Sequence, residues 1–292
     1  MNPWLVGVVG IVVALSLALG LSWLGADQGV RVAGVALFGL CGAFAYAVQW
    51  LAFIHAWRSH SEAYFDLAGS LTFIVMVVAA VVLARVIDIR SLLLALLIVI
   101  WALRLGPFLF KRVRQAGEDK RFRTIKHSFP TFLMTWTLQG TWVFITASCA
   151  LAAITSGATA PLDVSAGIGL LLWFFGFAVE VTADGQKAAF RKNPENADRF
   201  IVTGLWAWSR HPNYFGEIML WIGIALIAYP ALQGLHVYTL VSPLFVVLLL
   251  TMISGVRMLE GRANKKWGND SDYQTYKRST PMLMLWPPRR VK

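Results

Sequence analysis

Apolar runs of similar length recur along nearly the whole of this 292-residue chain. Eight of them approach the roughly 20 residues that an α-helix needs to cross the hydrocarbon core of a bilayer. They lie at about 3–24, 31–54, 67–86, 91–110, 129–155, 165–186, 213–232 and 236–256. Pro230 and Gly234 connect the last two so closely that these could form one helical hairpin, which leaves a count of seven open. The pattern predicts an all-α polytopic membrane protein with 7–8 transmembrane helices in one bundle.

The composition excludes the soluble classes of protein. Hydrophobic residues make up 58% of the chain and charged residues 14%, whereas a soluble domain carries roughly 25% charged residues. A chain this apolar cannot cover a water-exposed surface with polar groups, and it is too apolar for a disordered protein or a coiled coil. The first run follows no basic segment and has no clear cleavage site, so we expect a retained helix and not a signal peptide.

The basic residues are distributed unevenly between the loops. The net charge is +11, which in a soluble protein would suggest a nucleic-acid partner. Here Lys and Arg crowd into 111–126, 187–210 and the C-terminal tail, which includes Arg289, Arg290 and Lys292. The loops of the opposite side hold only Arg31, Arg85 and Arg90. The positive-inside rule therefore predicts a cytoplasmic C-terminus, and we expect no nucleic-acid partner.

A stripe of charged residues runs along the sixth predicted helix. Glu180, Asp184, Lys187 and Arg191 are spaced so that they share one helical face. One interpretation is an internal ladder of ion pairs that closes the end of the helix. The other is a polar stripe that faces a cytoplasm-facing cavity and binds a polar ligand, since ionisable groups inside spans are costly to keep.

The segment 209–217 predicts the start of the seventh helix at a loop rich in hydrogen-bond donors. Pro212 suits the first helical position, and the N-terminal N–H groups of a helix suit a phosphate. Asn213 and Glu217 share a face, and Gly216 permits close approach of a ligand or another helix. The alternative is an ordinary helix start with interfacial Arg210 and His211.

Further polar candidates lie elsewhere in the chain. Arg257, Glu260 and Asn264 share a face where the last span ends. The loop before the third helix holds Glu62, Tyr64 and Asp66, where Asp66 is either an N-terminal helix carboxylate or a proton donor. The remaining candidates are the single buried polar residues Arg104 and Gln139, whereas His127 and His236 are expected at the surface.

The motifs restrict how a cofactor could be held. The chain has no G-x-G-x-x-G motif and no phosphate-binding P-loop, so a nucleotide cofactor would have to lie between helices. Carboxylates, several cations and a helix N-terminus would suit a phosphorylated nucleotide. Cys41 and Cys149 fall inside apolar runs and are expected in the core, so we predict neither a disulfide nor a metal site.

The combined motifs resemble the steroid 5-alpha-reductase family, and most closely its bacterial membrane-protein branch. The resemblance rests on Glu-x3-Asp-x-Gln-Lys from residue 180 and Ser-Arg-His-Pro-Asn-Tyr-x-Gly-Glu from residue 209. It extends through Arg104-Leu-Gly, Leu138-Gln139-Gly140, Arg257…Glu260 and Tyr273-x2-Tyr276, and covers roughly 60–288. Arg-His-Pro-x-Tyr also occurs in isoprenylcysteine carboxyl methyltransferases and sterol C14 reductases.

The resemblance implies a membrane oxidoreductase that uses NADPH to reduce an activated C=C bond in a lipophilic, steroid-like or prenyl-like substrate. It implies cofactor contacts at Asp184, Arg191, Asn213, Glu217 and Arg257, with Arg104 and Gln139 nearby. We expect the cofactor site to include Glu180, Lys187, Arg210, His211, Tyr214 and Glu260 as well. For the acid that stabilises the enolate we expect Asp66 or Tyr64, with Glu62 as a further candidate.

The resemblance also implies the organisation and location of the protein. N-terminal helices (1–60) would precede a reductase-like core (61–292) with an interfacial tail, in a bacterial inner membrane with the cofactor site on the cytoplasmic side. One alternative is a membrane methyltransferase that uses S-adenosylmethionine. Another is a lipid-binding or transport protein, which the lack of an inverted repeat disfavours.

Overall fold

The computed structural model describes residues 2–84 and 88–287. Arg85, Arg289, Arg290 and Lys292 of the sequence prediction lie outside these residues. The α-helices and β-strands are α1 (Pro3–Gly25), β1 (Arg31–Val32), β2 (Val35–Ala36), α2 (Leu37–Ser59), α3 (Phe65–Leu83), α4 (Ile89–Ala116), α5 (Phe129–Thr155), α6 (Val164–Lys192), α7 (Pro212–Ala228), α8 (Val241–Leu248), α9 (Val256–Trp267) and α10 (Ser271–Ser279). Short 3-10 turns occur at Ile125–His127, Pro194–Asn196, Gly204–Ala207, Tyr229–Ala231 and Gly234–Leu240, and a π-turn occurs at Leu249–Ile253.

Within the described residues, eight helical segments are long and apolar enough to cross a membrane. The seventh, Pro212–Ala231, and the eighth, Gly234–Trp267, are separate. The prediction of an all-α polytopic membrane protein is confirmed, and of the two predicted counts the part of the chain that the structure describes has eight. The division into 1–60 and 61–292 concerns function and stays a prediction.

The predicted start of the second span was wrong. Residues 31–36 form a short hairpin in which Arg31 pairs with Ala36 and Val32 with Val35. Ala33 and Gly34 both have positive φ (49° and 82°), which is the geometry of a tight two-residue hairpin turn. The helix begins only at Leu37 and continues to Ser59, where His60 ends it in a left-handed conformation.

The described chain forms two compact units. Unit 1 comprises Met1–Ser165 with Ile227–Ser242, and unit 2 comprises Ala166–Leu226 with Pro243–Lys292. In unit 1, α5 is packed against α1, α2 and α3, and 89% of its most apolar stretch is buried. Its polar side chains find partners inside this unit. Examples are Thr141 Oγ1, 2.8 Å from the Tyr46 hydroxyl, and Thr137 Oγ1, which accepts from Trp50 Nε1 at 3.1 Å.

Two basic residues assigned to loops or the surface are buried in unit 1. Arg90 lies in the first turn of α4, only 1% exposed, where its guanidinium donates to the carbonyls of Ala160 (3.1 Å) and Ile227 (2.5 Å). His236 is buried within the turn Gly234–Leu240, which packs against α1 and α5. The sequence prediction failed because carbonyls distant in the chain satisfy Arg90 and packing encloses His236. His127 is exposed as predicted.

In unit 2, the backbones of α6 and α7 come into direct contact where the two helices cross. A Cβ on Gly216 would lie 2.5 Å from the Gly176 carbonyl oxygen and 2.7 Å from the Glu180 backbone nitrogen. Only glycine at these crossing positions lets the two helices come so close. The close crossing brings the charged half of α6 beside the first turns of α7.

Candidate functional site

The charged stripe of α6 is buried at one end and exposed at the other. Glu180 and Asp184 are 2% and 8% exposed, respectively. Lys187 is half-buried, with its ammonium 4.5 Å from the centre of the Trp206 ring. Arg191 is exposed and donates to the Ala197 carbonyl at 3.4 Å. The predicted stripe therefore places two buried carboxylates in unit 2, followed by cations toward the helix end.

A side-chain hydrogen bond connects α7 to this stripe. The Asn213 amide donates to Asp184 Oδ1 at 3.2 Å. Asn213 and Glu217, one turn apart on α7, are both half-buried. The contact depends on the glycine crossing, because a wider helix separation would move the Asn213 amide out of reach of Asp184.

The segment before α7 forms an ion cluster with α9. His211 Nε2 lies 3.0 Å from Glu260 Oε1, and Arg210 Nε lies 3.4 Å from the same oxygen. Burial, together with the nearby Lys187 and Arg210 cations, lowers the pKa of His211, although the Glu260 carboxylate acts to raise it. The imidazole is therefore neutral at neutral pH and uses its Nε2 hydrogen for Glu260. The Tyr214 ring stacks on the His211 ring with centroids 5.7 Å apart.

The chain after α9 holds this segment in place. The Tyr276 hydroxyl donates to the Trp206 carbonyl at 2.6 Å, and burial raises the pKa of this phenol. The Arg210 backbone N–H donates to the Pro281 carbonyl at 2.9 Å, and its guanidinium donates to the Lys277 carbonyl at 3.0 Å. The C-terminal part of unit 2 thus fixes the position of the Arg210–His211 segment.

An open cavity of 590 Å³ lies beside this cluster. It is lined by Thr251, Met252, Val256, Arg257, Glu260, Gly261, Asn264, Lys277 and Met282. The Lys277 ammonium donates to Asn264 Oδ1 at 2.9 Å, and the Arg257 side chain is exposed. The wall therefore combines cations, an amide and a carboxylate with apolar side chains, which suits a ligand that carries anionic and apolar parts.

The proton-donor candidates lie in unit 1. Glu62 is buried, accepts from the Asp119 N–H at 2.9 Å and pairs with the Lys126 ammonium at 2.9 Å. Asp66, in the first turn of α3, has Arg121 Nη2 at 3.8 Å, while Arg121 itself bonds Asp119 at 2.6 Å. Glu62 is therefore held by short contacts, whereas the Asp66 carboxyl keeps a looser one.

Tyr64 and two predicted cofactor residues also belong to unit 1. Tyr64 is 52% exposed and stacks on Phe110. The buried Gln139 amide donates to Gln49 Oε1 at 3.0 Å and to the Phe65 carbonyl at 2.6 Å. Arg104 is half-buried, with its guanidinium carbon 4.9 Å from the centre of the Phe108 ring. The need of Gln139 for a partner, expected from the sequence, is met by protein groups.

The structure brings several predicted residues together within unit 2. Arg210, His211 and Glu260 form one cluster, Arg257 and Glu260 line the cavity, and Asp184 bonds Asn213. Lys277 and Met282 were not predicted as lining residues. The chain turns after α9 and brings them back to the cavity, and the spacing of residues along a helix does not indicate such a turn. Asn264 was recognisable from the shared face with Arg257. The cofactor and catalytic roles of all these residues stay predictions.

Comparison with known proteins finds one matching family and two similar proteins. A family described as a protein of unknown function (DUF1295) matches residues 52–280. The chain is 24% identical over 178 residues to Uncharacterized protein C594.04c of Schizosaccharomyces pombe, with 52% of each chain covered. It is 29% identical over 118 residues to a Delta(14)-sterol reductase of Ascobolus immersus, with 35% of this chain and 26% of that protein covered.

The chain therefore spans about half of the first relative and about a quarter of the second. No solved structure matches it.

Proposed function

Because the chain belongs to the DUF1295 family and is similar in part to a sterol reductase, we propose that it is a membrane-embedded NADPH-dependent reductase of an activated C=C bond in a lipophilic substrate. The similarity to the Delta(14)-sterol reductase is the observation that carries this proposal. Eight apolar helices fit a substrate that partitions into the bilayer. We place the protein in a bacterial inner membrane, with 61–292 as the reductase-like core and the cofactor site toward the cytoplasm.

The cavity of unit 2 fits a phosphorylated nucleotide by the chemistry of its donors. Arg257 and Lys277 offer cations to phosphates, and Asn264 offers an amide. Arg210 Nε lies 3.4 Å from Glu260 Oε1 and so helps to hold that carboxylate at the cavity wall. When bound, NADPH supplies a hydride.

We assign the remaining polar residues to the binding and orientation of the cofactor. Asp184, Asn213 and Glu217 would hold hydroxyl or amide groups of the cofactor by hydrogen bonds. Glu260, held by His211, would orient a group inside the cavity. Glu180, Lys187, Arg191 and Tyr214, together with Arg104 and Gln139, complete the set that the family resemblance implies.

We assign the proton-donor role to Asp66. An enone that accepts a hydride at its β-carbon develops negative charge on its carbonyl oxygen, and a nearby acid stabilises that charge. Asp66 is suited because its carboxyl is largely shielded from solvent and has only a 3.8 Å contact to Arg121. Glu62 is engaged by Lys126, and Tyr64 is half exposed, so both are weaker candidates.

Thermal-shift titration of the purified protein tests the cofactor assignment. NADPH should raise the melting temperature, since a ligand that binds the folded state stabilises it. Arg257→Ala should weaken NADPH binding by about tenfold or more, because it removes a charge-assisted contact. Arg262→Ala is the matched control, since Arg262 is exposed on the same helix but does not line the cavity.

The same titration contains the outcomes that contradict the proposal. Stabilisation by S-adenosylmethionine and not by NADPH would indicate the methyltransferase. Stabilisation by neither would indicate a lipid-binding or transport protein. Equal NADPH affinity in both arginine variants would remove Arg257 from the site.

A turnover assay tests Asp66 separately. Asp66→Asn should lower NADPH oxidation with a lipophilic enone by about 10²-fold or more, because general acid catalysis contributes on this scale. NADPH binding should stay within about twofold of wild type, since Asp66 is not among the residues assigned to the cofactor. Unchanged turnover would exclude Asp66 as the donor.

A further inference from the structure

One face of α4 is exposed along nearly the whole helix. Its apolar part consists of Leu92, Leu96, Ile100 and Leu103, which are 38–58% exposed and repeat every three or four residues. This spacing defines a single helical stripe. In a membrane span such a stripe faces the acyl chains of lipids. The stripe continues through exposed Pro107 to Lys111 and Arg114.

Lys111 and Arg114 therefore come at the end of a lipid-facing stripe. Residues three apart on a helix have their Cβ atoms roughly 5–6 Å apart, so both side chains can reach one phosphate. Long basic side chains at the end of a span extend toward the headgroup layer. The apolar stripe and the two cations thus match the acyl chain and the charged headgroup of one lipid.

The pair differs from the basic residues that follow it. Arg123 pairs with Glu118, Arg121 with Asp119 and Lys126 with Glu62. Among the described residues, Lys111 and Arg114 make no salt bridge or side-chain hydrogen bond and are both exposed. Their charges therefore remain available to an external anion.

We propose that Lys111 and Arg114 form a binding site for the phosphate of an anionic phospholipid whose acyl chain lies along the exposed stripe of α4. Each basic residue near an anionic membrane surface contributes on the order of a fivefold gain in affinity. This site is independent of the proposed reductase function, since it uses no residue of the cofactor or acid sets.

Lipid titration of the full-length protein in detergent tests the site. Phosphatidylglycerol should bind, by native mass spectrometry, more tightly than phosphatidylcholine. The double variant Lys111→Gln/Arg114→Gln should weaken phosphatidylglycerol binding by roughly 30-fold. The double variant Lys120→Gln/Arg123→Gln removes the same net charge from the next segment, which lies outside α4, and should change binding by less than about twofold.

Three results would overturn the proposal. Equal loss in both double variants would indicate attraction to net charge and no defined site. Equal affinity for the two phospholipids would indicate that the headgroup charge is not recognised. Binding of glycerol phosphate as tight as that of the phospholipid would indicate a soluble phosphate ligand without an acyl chain. Melting temperatures of both variants in detergent alone control for folding.

Discussion

At the scale of single residues, His211 connects the start of α7 to Glu260. Its lowered pKa means that the folded protein resists protonation of this ring, whereas the unfolded chain protonates near the ordinary value of about 6.5. The unfolded state therefore binds more protons as the pH falls below that value. The stability contribution of neutral His211 is present above about pH 6.5 and is lost on acidification.

This predicts a pH-dependent difference between wild type and His211→Gln. Glutamine can donate to Glu260 but does not titrate, so its melting temperature should fall less between pH 7 and pH 5 than that of wild type. His211→Ala, which removes the donor, should lower the melting temperature at pH 7 as well, by the equivalent of about 1–3 kcal/mol. Parallel pH curves for wild type and His211→Gln would contradict the assignment.

Single residues also mark where sequence reasoning ends. The face shared by Glu180 and Asp184 was predictable from helical spacing alone, because residues four apart lie on the same side of a helix. The burial of Arg90 did not follow, since its partners are carbonyls about 70 and 137 residues further along the chain. The place of Lys277 in the cavity wall depends on a turn whose direction the sequence does not encode by periodicity.

At the scale of elements, the close crossing of α6 and α7 predicts that alanine will change stability very differently at Gly216 of α7 and at Gly185 of α6. Gly216→Ala should destabilise the protein by about 1–3 kcal/mol, because its Cβ would meet the Gly176 carbonyl and separate the helices. Gly185→Ala is the control, since a Cβ there meets nothing within 4 Å. It should leave stability unchanged or raise it by up to about 1 kcal/mol.

Thermal unfolding of the two variants checks this prediction. Gly216→Ala should also weaken any ligand held by Asp184 and Asn213, because their 3.2 Å bond depends on the crossing. Equal melting temperatures for the two variants would mean that the helices do not pack at this distance in the membrane.

The elements themselves were predictable to different degrees. The existence of each span followed from its length and apolar composition. The start of α2 did not, because residues 30–36, apolar except for Arg31, suit a short hairpin as well as a helix, and the turn at Ala33 and Gly34 decides between them. Hydropathy averages over a window and does not detect such a turn.

At the scale of the whole molecule, the distribution of basic residues predicts the orientation in the membrane. The two native cysteines are buried, so a single introduced cysteine can be labelled against a low background. In intact bacterial spheroplasts, a membrane-impermeant maleimide should label Leu162→Cys and should label Lys120→Cys only after the cells are opened. Both positions are exposed in the structure.

Labelling of Lys120→Cys in intact spheroplasts would show the opposite orientation and contradict the proposal that cytoplasmic NADPH reaches the cofactor site. The unsubstituted protein, treated in the same way, measures the background from Cys41 and Cys149.

The enclosed position of α5 has a consequence for how the protein is made. Of the eight spans, α5 has the lowest mean hydropathy and the highest buried share. Its main helical neighbours, α1, α2 and α3, all precede it in the chain. During synthesis they have already left the ribosome when α5 emerges. A helix that enters lipid poorly by itself therefore emerges when the helices that bury its threonines and glutamine are already made. The order of the helices in the chain thus favours the insertion of α5.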